Sequence, residues 1–279
     1  MSGTFAIAPT GAFSLREAIG FGFGPRDAGS GDAMRLAFAC DGTWAPCGVV
    51  VAQGTDGEVT GSFWGDVEVD VVRAQVARIL SLDGDGDAFA ALDDPVVDGL
   101  RTRFPGLRPV LFHSPYEAAA WAILSARRGR AQAVRVRDAL CERLGTRFVL
   151  GGEPLWAFPG PAALLDGIEG EGDERSARLR GVAAAAVEGR LDASRLLSLG
   201  PEGAFASVGE LRGLGTFYAS LVVIRATGFH DALPEGEPRL LRAVERFYGP
   251  DADLAVVSEA WRPFRTWASV LLRVAYDRE

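Results

Sequence analysis

The chain has 279 residues, 48% of them hydrophobic and 24% charged, and a formal net charge of −8. This is enough apolar material for two or three packed modules and too ordinary a charge content for disorder, while the negative sign excludes a protein that coats nucleic acid through its bulk charge. All 29 basic residues are Arg, which excludes chemistry that needs a side-chain amine, such as a lysine Schiff base.

The charge is unevenly spread. Residues 1–112 hold 8 Arg and 15 acids, or −7; residues 113–279 hold 21 Arg and 22 acids, or −1. Any nucleic-acid surface must therefore be a local patch in the second part. No apolar run reaches the roughly 18–20 residues of a membrane span, and the start lacks a basic segment followed by a long apolar one. The expectation is a cytoplasmic, monomeric protein with no membrane partner. Cys40, Cys47 and Cys141 fit a reducing compartment; Cys40 and Cys47 flank a hairpin and could meet, but free buried thiols are the preferred reading. Two histidines, His113 and His230, and no CxxC spacing argue against a structural zinc site.

In chain order, Met34 to Cys40 alternates like a strand, Asp41-Gly42 signals a turn, and Gly48 to Ala52 reads as the return strand. Val59 to Trp64 suggests a third strand. From Val69 to Leu82 the spacing becomes helical, with Val72, Val76, Ile79 and Leu80 on one face. Asp83-Gly84-Asp85-Gly86-Asp87 resembles part of a calcium loop but lacks the distal Glu, so a solvated turn is expected. Pro105-Gly106-Leu107-Arg108-Pro109 marks a boundary, and the rest reads as helical. Ser114-Pro115-Tyr116-Glu117 has the form of a capping box. Helices are expected at about 115–127, 130–144, 174–189, 202–210, 215–227, 237–248 and 263–276, with breaks at Gly or Pro.

One break carries chemistry. In Gly209-Glu210-Leu211-Arg212-Gly213-Leu214-Gly215-Thr216-Phe217-Tyr218-Ala219 one helix ends, a turn holds two glycines two apart, and another helix begins. Glycine admits positive φ and close approach, and the free N–H groups of the second helix form a ready phosphate site. Leu211, Arg212, Gly213, Leu214, Gly215 and Thr216 are the candidate DNA contacts, made to backbone rather than to bases. On these residues alone, an ordinary corner between two helices fits equally well.

The surroundings decide between them by resemblance. Residues 114–124 (SPYEAAAWAIL), the turn at 211–219, Ala226 to Leu240, and Trp261-Arg262-Pro263-Phe264-Arg265-Thr266-Trp267-Ala268 resemble, in order and spacing, four blocks of the helix-hairpin-helix DNA glycosylases, specifically the bacterial 3-methyladenine DNA glycosylase II group. The fold this implies is α+β: a small antiparallel-sheet domain at 1–112, then an all-helical helix-hairpin-helix glycosylase domain at 113–279, in two lobes with a cleft between.

The resemblance implies a monofunctional DNA N-glycosylase of base excision repair. Such an enzyme flips an alkylated or otherwise damaged base out of duplex DNA and hydrolyses its N-glycosidic bond. A carboxylate stabilises the charge that develops on the sugar. The family's Asp matches Glu237 here, one methylene longer; Asp231 and Glu235 are lower-ranked substitutes, and Glu237 also fits a plain helix N-terminal acid. If the longer side chain misplaces the charge, a weak or inactive glycosylase that binds damaged DNA is the alternative. The lysine of bifunctional relatives is replaced by Phe217. The implied base pocket comprises Phe217, Trp121, Tyr218, Leu221 and Arg273. Leu221, Pro238 and Arg273 stand where the family has aromatic rings, while Trp261 and Trp267 fit core or pocket equally. Arg273 opposes a cationic base unless paired, which leaves neutral lesions open. Arg127 is the candidate to fill the gap left by the flipped base, and Arg128, Arg130, Arg135 and Arg212 would complete a basic patch. The family's hairpin also implies a monovalent Na or K ion held by backbone carbonyls near Leu211 and Gly213.

Overall fold

A computed structural model describes residues 1–21, 32–168, 170–234 and 237–279. Four strands, β1 (Ser2–Ile7), β2 (Ala33–Ala39), β3 (Pro46–Gln53) and β4 (Val59–Gly65), form one antiparallel sheet of order β1-β4-β3-β2. A short helix α1 (Leu15–Ile19) follows β1, and α2 (Val69–Ile79), α3 (Gly86–Ala90) and α4 (Pro95–Arg103) follow β4. The second part contains α5 (Pro115–Ser125), α6 (Arg130–Leu144), a hairpin of β5 (Thr146–Leu150) and β6 (Glu153–Ala157), then α7 (Asp173–Val187), α8 (Ala193–Ser198), α9 (Gly200–Gly209) and α10 (Thr216–Ala226). The chain ends with α11 (Pro238–Tyr248), α12 (Leu254–Val257) and α13 (Arg265–Asp277). The α+β class expected from the sequence is the class observed. Among the described residues, no helix is long and apolar enough to cross a membrane.

Two hydrophobic cores organise the chain, and they do not follow its linear order. The first unites the inner face of the sheet (Phe5, Val49, Val51, Phe63) with α2 and with the C-terminal helices through Leu240, Val244, Leu271 and Val274. Trp261 and Trp267 are fully buried in it. The second lies within 112–226 and is lined by α5, α7, α9 and α10, including Leu124, Leu179, Val208 and Val223. The segment 110–113 stitches the cores together. Leu111 N–H donates to the Ile79 carbonyl at 2.7 Å, and Phe112 N–H to the Arg225 carbonyl at 2.7 Å. Arg78, buried, donates to the carbonyls of His113 and Ala226 and pairs with Asp41 at 2.7 Å.

Three local expectations change. The part from 113 onward, expected to be all-helical, carries the β5–β6 hairpin, which packs against β2 and β3 rather than forming a helix. Ser114 Oγ accepts from Glu117 N–H at 3.0 Å, the serine half of the capping box. The glutamate half is absent, because the Glu117 side chain turns inward. It accepts from His113 Nδ1 at 2.9 Å and from the Arg137 guanidinium at 2.8 Å, completely buried. Burial alone would raise its pKa, but the charges and hydrogen bonds of His113 and Arg137 outweigh burial and hold it at about 2. The aspartate-rich turn at 83–87 is the N-terminus of α3: Asp85 caps it by accepting from the N–H groups of Asp87 and Ala88. Cys40, Cys47 and Cys141 are buried free thiols.

Candidate active site

The hairpin joins α9 to α10. Leu211 and Leu214 are buried in the second core and anchor the turn, so Arg212, Gly215 and Thr216 are left facing outward. Leu214 N–H donates to the Leu211 carbonyl at 3.0 Å, closing the turn. Gly213 has φ of +96°, and an added Cβ would lie 2.8 Å from Cδ of Arg178. Its glycine is required by backbone conformation and by space. Gly215 differs: it caps α10 at φ −67° with no side-chain cap bond, and nothing stands within 4 Å of the Cβ it lacks. Conformation therefore does not demand glycine there, and the first-turn N–H groups of α10 open onto unobstructed space.

Helix α10 has two faces. Ala219, Val222, Val223 and Ala226 enter the second core. The opposite stripe, Phe217, Ser220, Leu221, Ile224 and Arg225, lines a cavity of about 310 Å³, closed from the other side by Pro234, Glu237, Arg239 and Leu240 around the start of α11 and by Ser269, Val270 and Arg273 of α13. The cavity thus sits at the seam between the two cores. Its size is at the lower end of small-molecule sites, about 300 Å³ and upward.

Glu237 is the N-cap of α11. One carboxylate oxygen accepts from Leu240 N–H at 2.8 Å, and the other meets Arg273 NH1 at 3.0 Å. Both side chains are mostly buried, at 17% and 19% exposure. Arg273 also approaches Asp277 at 3.4 Å, and its Nε has no hydrogen-bond partner among the described residues. Phe217 is 51% exposed at the cavity mouth, its ring edge-on to Tyr218 at 5.4 Å.

The structure thus brings Glu237, Phe217, Leu221 and Arg273 into one wall. It does not bring in Trp121 or Tyr218, which are half-buried against the second core, nor Trp261 and Trp267, which are core. Their rings are spent on packing. Asp231 lies elsewhere, held by Arg262 at 2.9 Å and Arg265 at 2.8 Å. Glu235 lies outside the described residues. Arg127 is exposed at the α5–α6 turn with φ of +59°, a conformation L residues rarely adopt and one that accumulates at functional positions. Arg128 points back instead: it donates to the Leu124 carbonyl at 2.9 Å and pairs with Glu171 at 2.8 Å. Arg130 is exposed at the start of α6 and borders a smaller cleft beside Arg225 and Arg273. Ser220 and Ser269 are wall residues that sequence reasoning passed over. Their only signal was helical spacing from Phe217 and Arg273.

No family model matches the chain. It is 25% identical over 211 residues, 70% of its length and 69% of the relative's, to the DNA-3-methyladenine glycosylase of Bacillus subtilis. Among solved structures, the 3-methyladenine DNA glycosylase from Archaeoglobus fulgidus superposes with a TM-score of 0.77, covering 98% of both chains at 22% identity. MBOgg1 in complex with a low-affinity DNA ligand gives 0.72 at 16% identity, over 99% of this chain and 96% of that one. The chain has the fold of these DNA glycosylases. The superposition on the Archaeoglobus protein spans nearly the whole length of this chain.

Proposed function

We propose that the protein is a monofunctional DNA N-glycosylase of base excision repair, related to the 3-methyladenine DNA glycosylase II group, which acts as a monomer on duplex DNA carrying damaged bases. The observation that carries this reading is the Glu237 carboxylate in the wall of a base-sized cavity beside Phe217 and the hairpin. The Bacillus relative and the fold support it. The hairpin would grip a phosphate through the N-terminus of α10, where dipole and free N–H groups favour an anion. Arg127 would enter the gap left by the flipped nucleotide. With the base in the cavity, the Glu237 charge would favour the oxocarbenium-like sugar as the glycosidic bond lengthens, in a site with little water to screen it. Water then adds at C1′. With no lysine in the chain, an imine to the sugar has no side chain to form on.

A monovalent cation at the hairpin would have to be held by backbone carbonyls. The Leu211 carbonyl accepts one hydrogen bond and retains a lone pair, which fits such a role. A bound cation would add positive charge next to the phosphate.

One observation favours a second reading, a damaged-DNA binder that cuts poorly: both oxygens of Glu237 are already engaged. Incubating duplexes with 3-methyladenine, 7-methylguanine, 1,N6-ethenoadenine or hypoxanthine, followed by hot alkali, separates the two. Strand breaks at a lesion support the enzyme; lesion-dependent binding without breaks supports the binder.

Gly215→Ala tests the hairpin. The fold has room for the methyl group, so stability should change by less than about 1 kcal/mol. Duplex affinity should fall by about tenfold, the worth of one hydrogen bond to a charged group, because the methyl stands where a phosphate would approach. Equal affinity in a binding titration at fixed salt would remove the hairpin from the interface.

A further inference from the structure

Helix α5 ends in a tight turn, Ser125-Ala126-Arg127-Arg128, closed by a hydrogen bond from Arg128 N–H to the Ser125 carbonyl at 3.0 Å. Ala126 has φ −56° and ψ 124°, and Arg127 follows at φ +59°. This is a type II turn, whose third residue takes positive φ and is ordinarily glycine. The chain has a glycine two residues on, at 129, yet keeps an exposed Arg at the strained position. The strain has a ready release. Rotating the Ala126–Arg127 peptide by about half a turn converts type II to type I, in which the third residue has φ of about −90°. That rotation would swing the Ala126 carbonyl to the opposite side of the turn, and the structure pins that carbonyl: Arg175 of α7 donates to it at 3.2 Å. Glu171 in turn meets Arg175 at 3.5 Å and Arg128 at 2.8 Å. Glu171 and Arg128 are mostly buried, at 11% and 13% exposure. Local geometry favours the relaxed turn, and a brace from another helix prevents it.

On the glycosylase reading above, on which this inference rests, we propose that Arg175 and Glu171 are positioning residues: they lock the turn in its strained form, so that Arg127 stands outward as a pre-set wedge for the gap a flipped nucleotide leaves. The gain lies in the fraction of competent molecules. A turn free to relax would present Arg127 only part of the time, and the apparent affinity for a duplex with such a gap falls by that fraction. The strain is already present in the free protein, so it adds nothing to the cost of binding. Neither Glu171 nor Arg175 needs to touch DNA for this. An ordinary helix end behaves differently: there the brace serves only the fold, and glycine at 127 would improve stability with no loss of binding.

The test titrates two duplexes of one sequence, one intact and one carrying a tetrahydrofuran abasic analogue. It reads the ratio of the two affinities at fixed salt for the wild type, Arg127→Gly, Arg175→Met and the double variant. Arg127→Gly should raise the melting temperature by about 2–4 °C, because glycine takes positive φ without strain. It should also lower the ratio by about tenfold, the worth of one stacking contact with a base. Arg175→Met keeps the reach of the side chain and removes the donor; it should lower the ratio by about tenfold, the worth of one hydrogen bond from a charged group. The double variant should match Arg127→Gly alone, since a residue that acts only through Arg127 has nothing left to position. If Arg175→Met does not fold, Glu171→Gln decides by the same cycle, with a loss of a few fold on the wild type and none on Arg127→Gly. Losses that multiply in the double variant overturn the inference, because Arg175 then acts on DNA directly; so does an Arg127→Gly protein that keeps the wild-type ratio. A wild type that does not distinguish the two duplexes also overturns it, and base release in the hot-alkali assay then decides separately whether the glycosylase reading stands.

Discussion

Glu237→Gln should reduce base release by at least about 10²–10³-fold, the cost of removing one electrostatic group aimed at charge that develops only in the transition state. The substitution is nearly isosteric. The amide oxygen can still accept from Leu240 N–H, so the cap of α11 survives, and Arg273 keeps Asp277 at 3.4 Å, so the melting temperature should fall by a few degrees at most, about 1–2 kcal/mol. What goes is the charge, and with it one partner of Arg273. Single-turnover kinetics on the best lesion should show the loss in the chemical step, with duplex affinity largely retained. Glu237→Asp keeps the charge, suits the N-cap position, and matches the family's residue; it should retain or raise activity. Unchanged release by Glu237→Gln would show that the carboxylate is only a cap.

Glu117→Gln should cost about 3–5 kcal/mol of stability, because it leaves Arg137 and His113 buried against a neutral amide. The melting temperature should fall by about 10 °C or more. The same site governs the acid limb. The Glu117 pKa lies at about 2 in the fold against an ordinary 4.5, so its contribution is present above about pH 4.5 and lost as pH falls toward 2. Asp41 works in the opposite direction. Burial raises it to about 6 despite Arg78, so it favours the fold below pH 3.8 and loses that contribution as pH rises through 6. Removing Glu117 should therefore flatten the acid-unfolding profile between pH 4.5 and 2. A profile as steep as the wild type's would place the acid sensitivity elsewhere.

Much of the secondary structure was legible because it rests on local signals. Met34 to Cys40 was visible as alternation, 48–52 as the return strand after the Asp41-Gly42 turn, 59–64 as a third strand, and α6 at 130–144 as a helix broken at Gly145. β1 and the β5–β6 hairpin were not. β1 is an edge strand held by β4, and β5–β6 packs against β2 and β3, so both depend on partners distant in sequence. The inward turn of Glu117 was hidden for the same reason. The Ser-x-x-Glu spacing describes the helix end correctly, while Arg137, twenty residues on, outcompetes the backbone for the carboxylate.

By itself the sequence determined the chemistry this chain can carry. It supplies one glycine turn between two helices, a carboxylate at 237, an arginine at 273 where the family it resembles has a ring, and no side-chain amine for covalent catalysis. These follow from residue identity and short-range spacing. Only the tertiary structure decided which residues meet. It folded the C-terminal helices back onto the sheet, so that α13 faces α10 across the cavity, and it spent Trp121, Trp261 and Trp267 on packing. It also placed Arg273 on Glu237. That pairing follows from the docking of two helices whose burial is driven by apolar residues elsewhere on their surfaces, and no pattern within either segment encodes it.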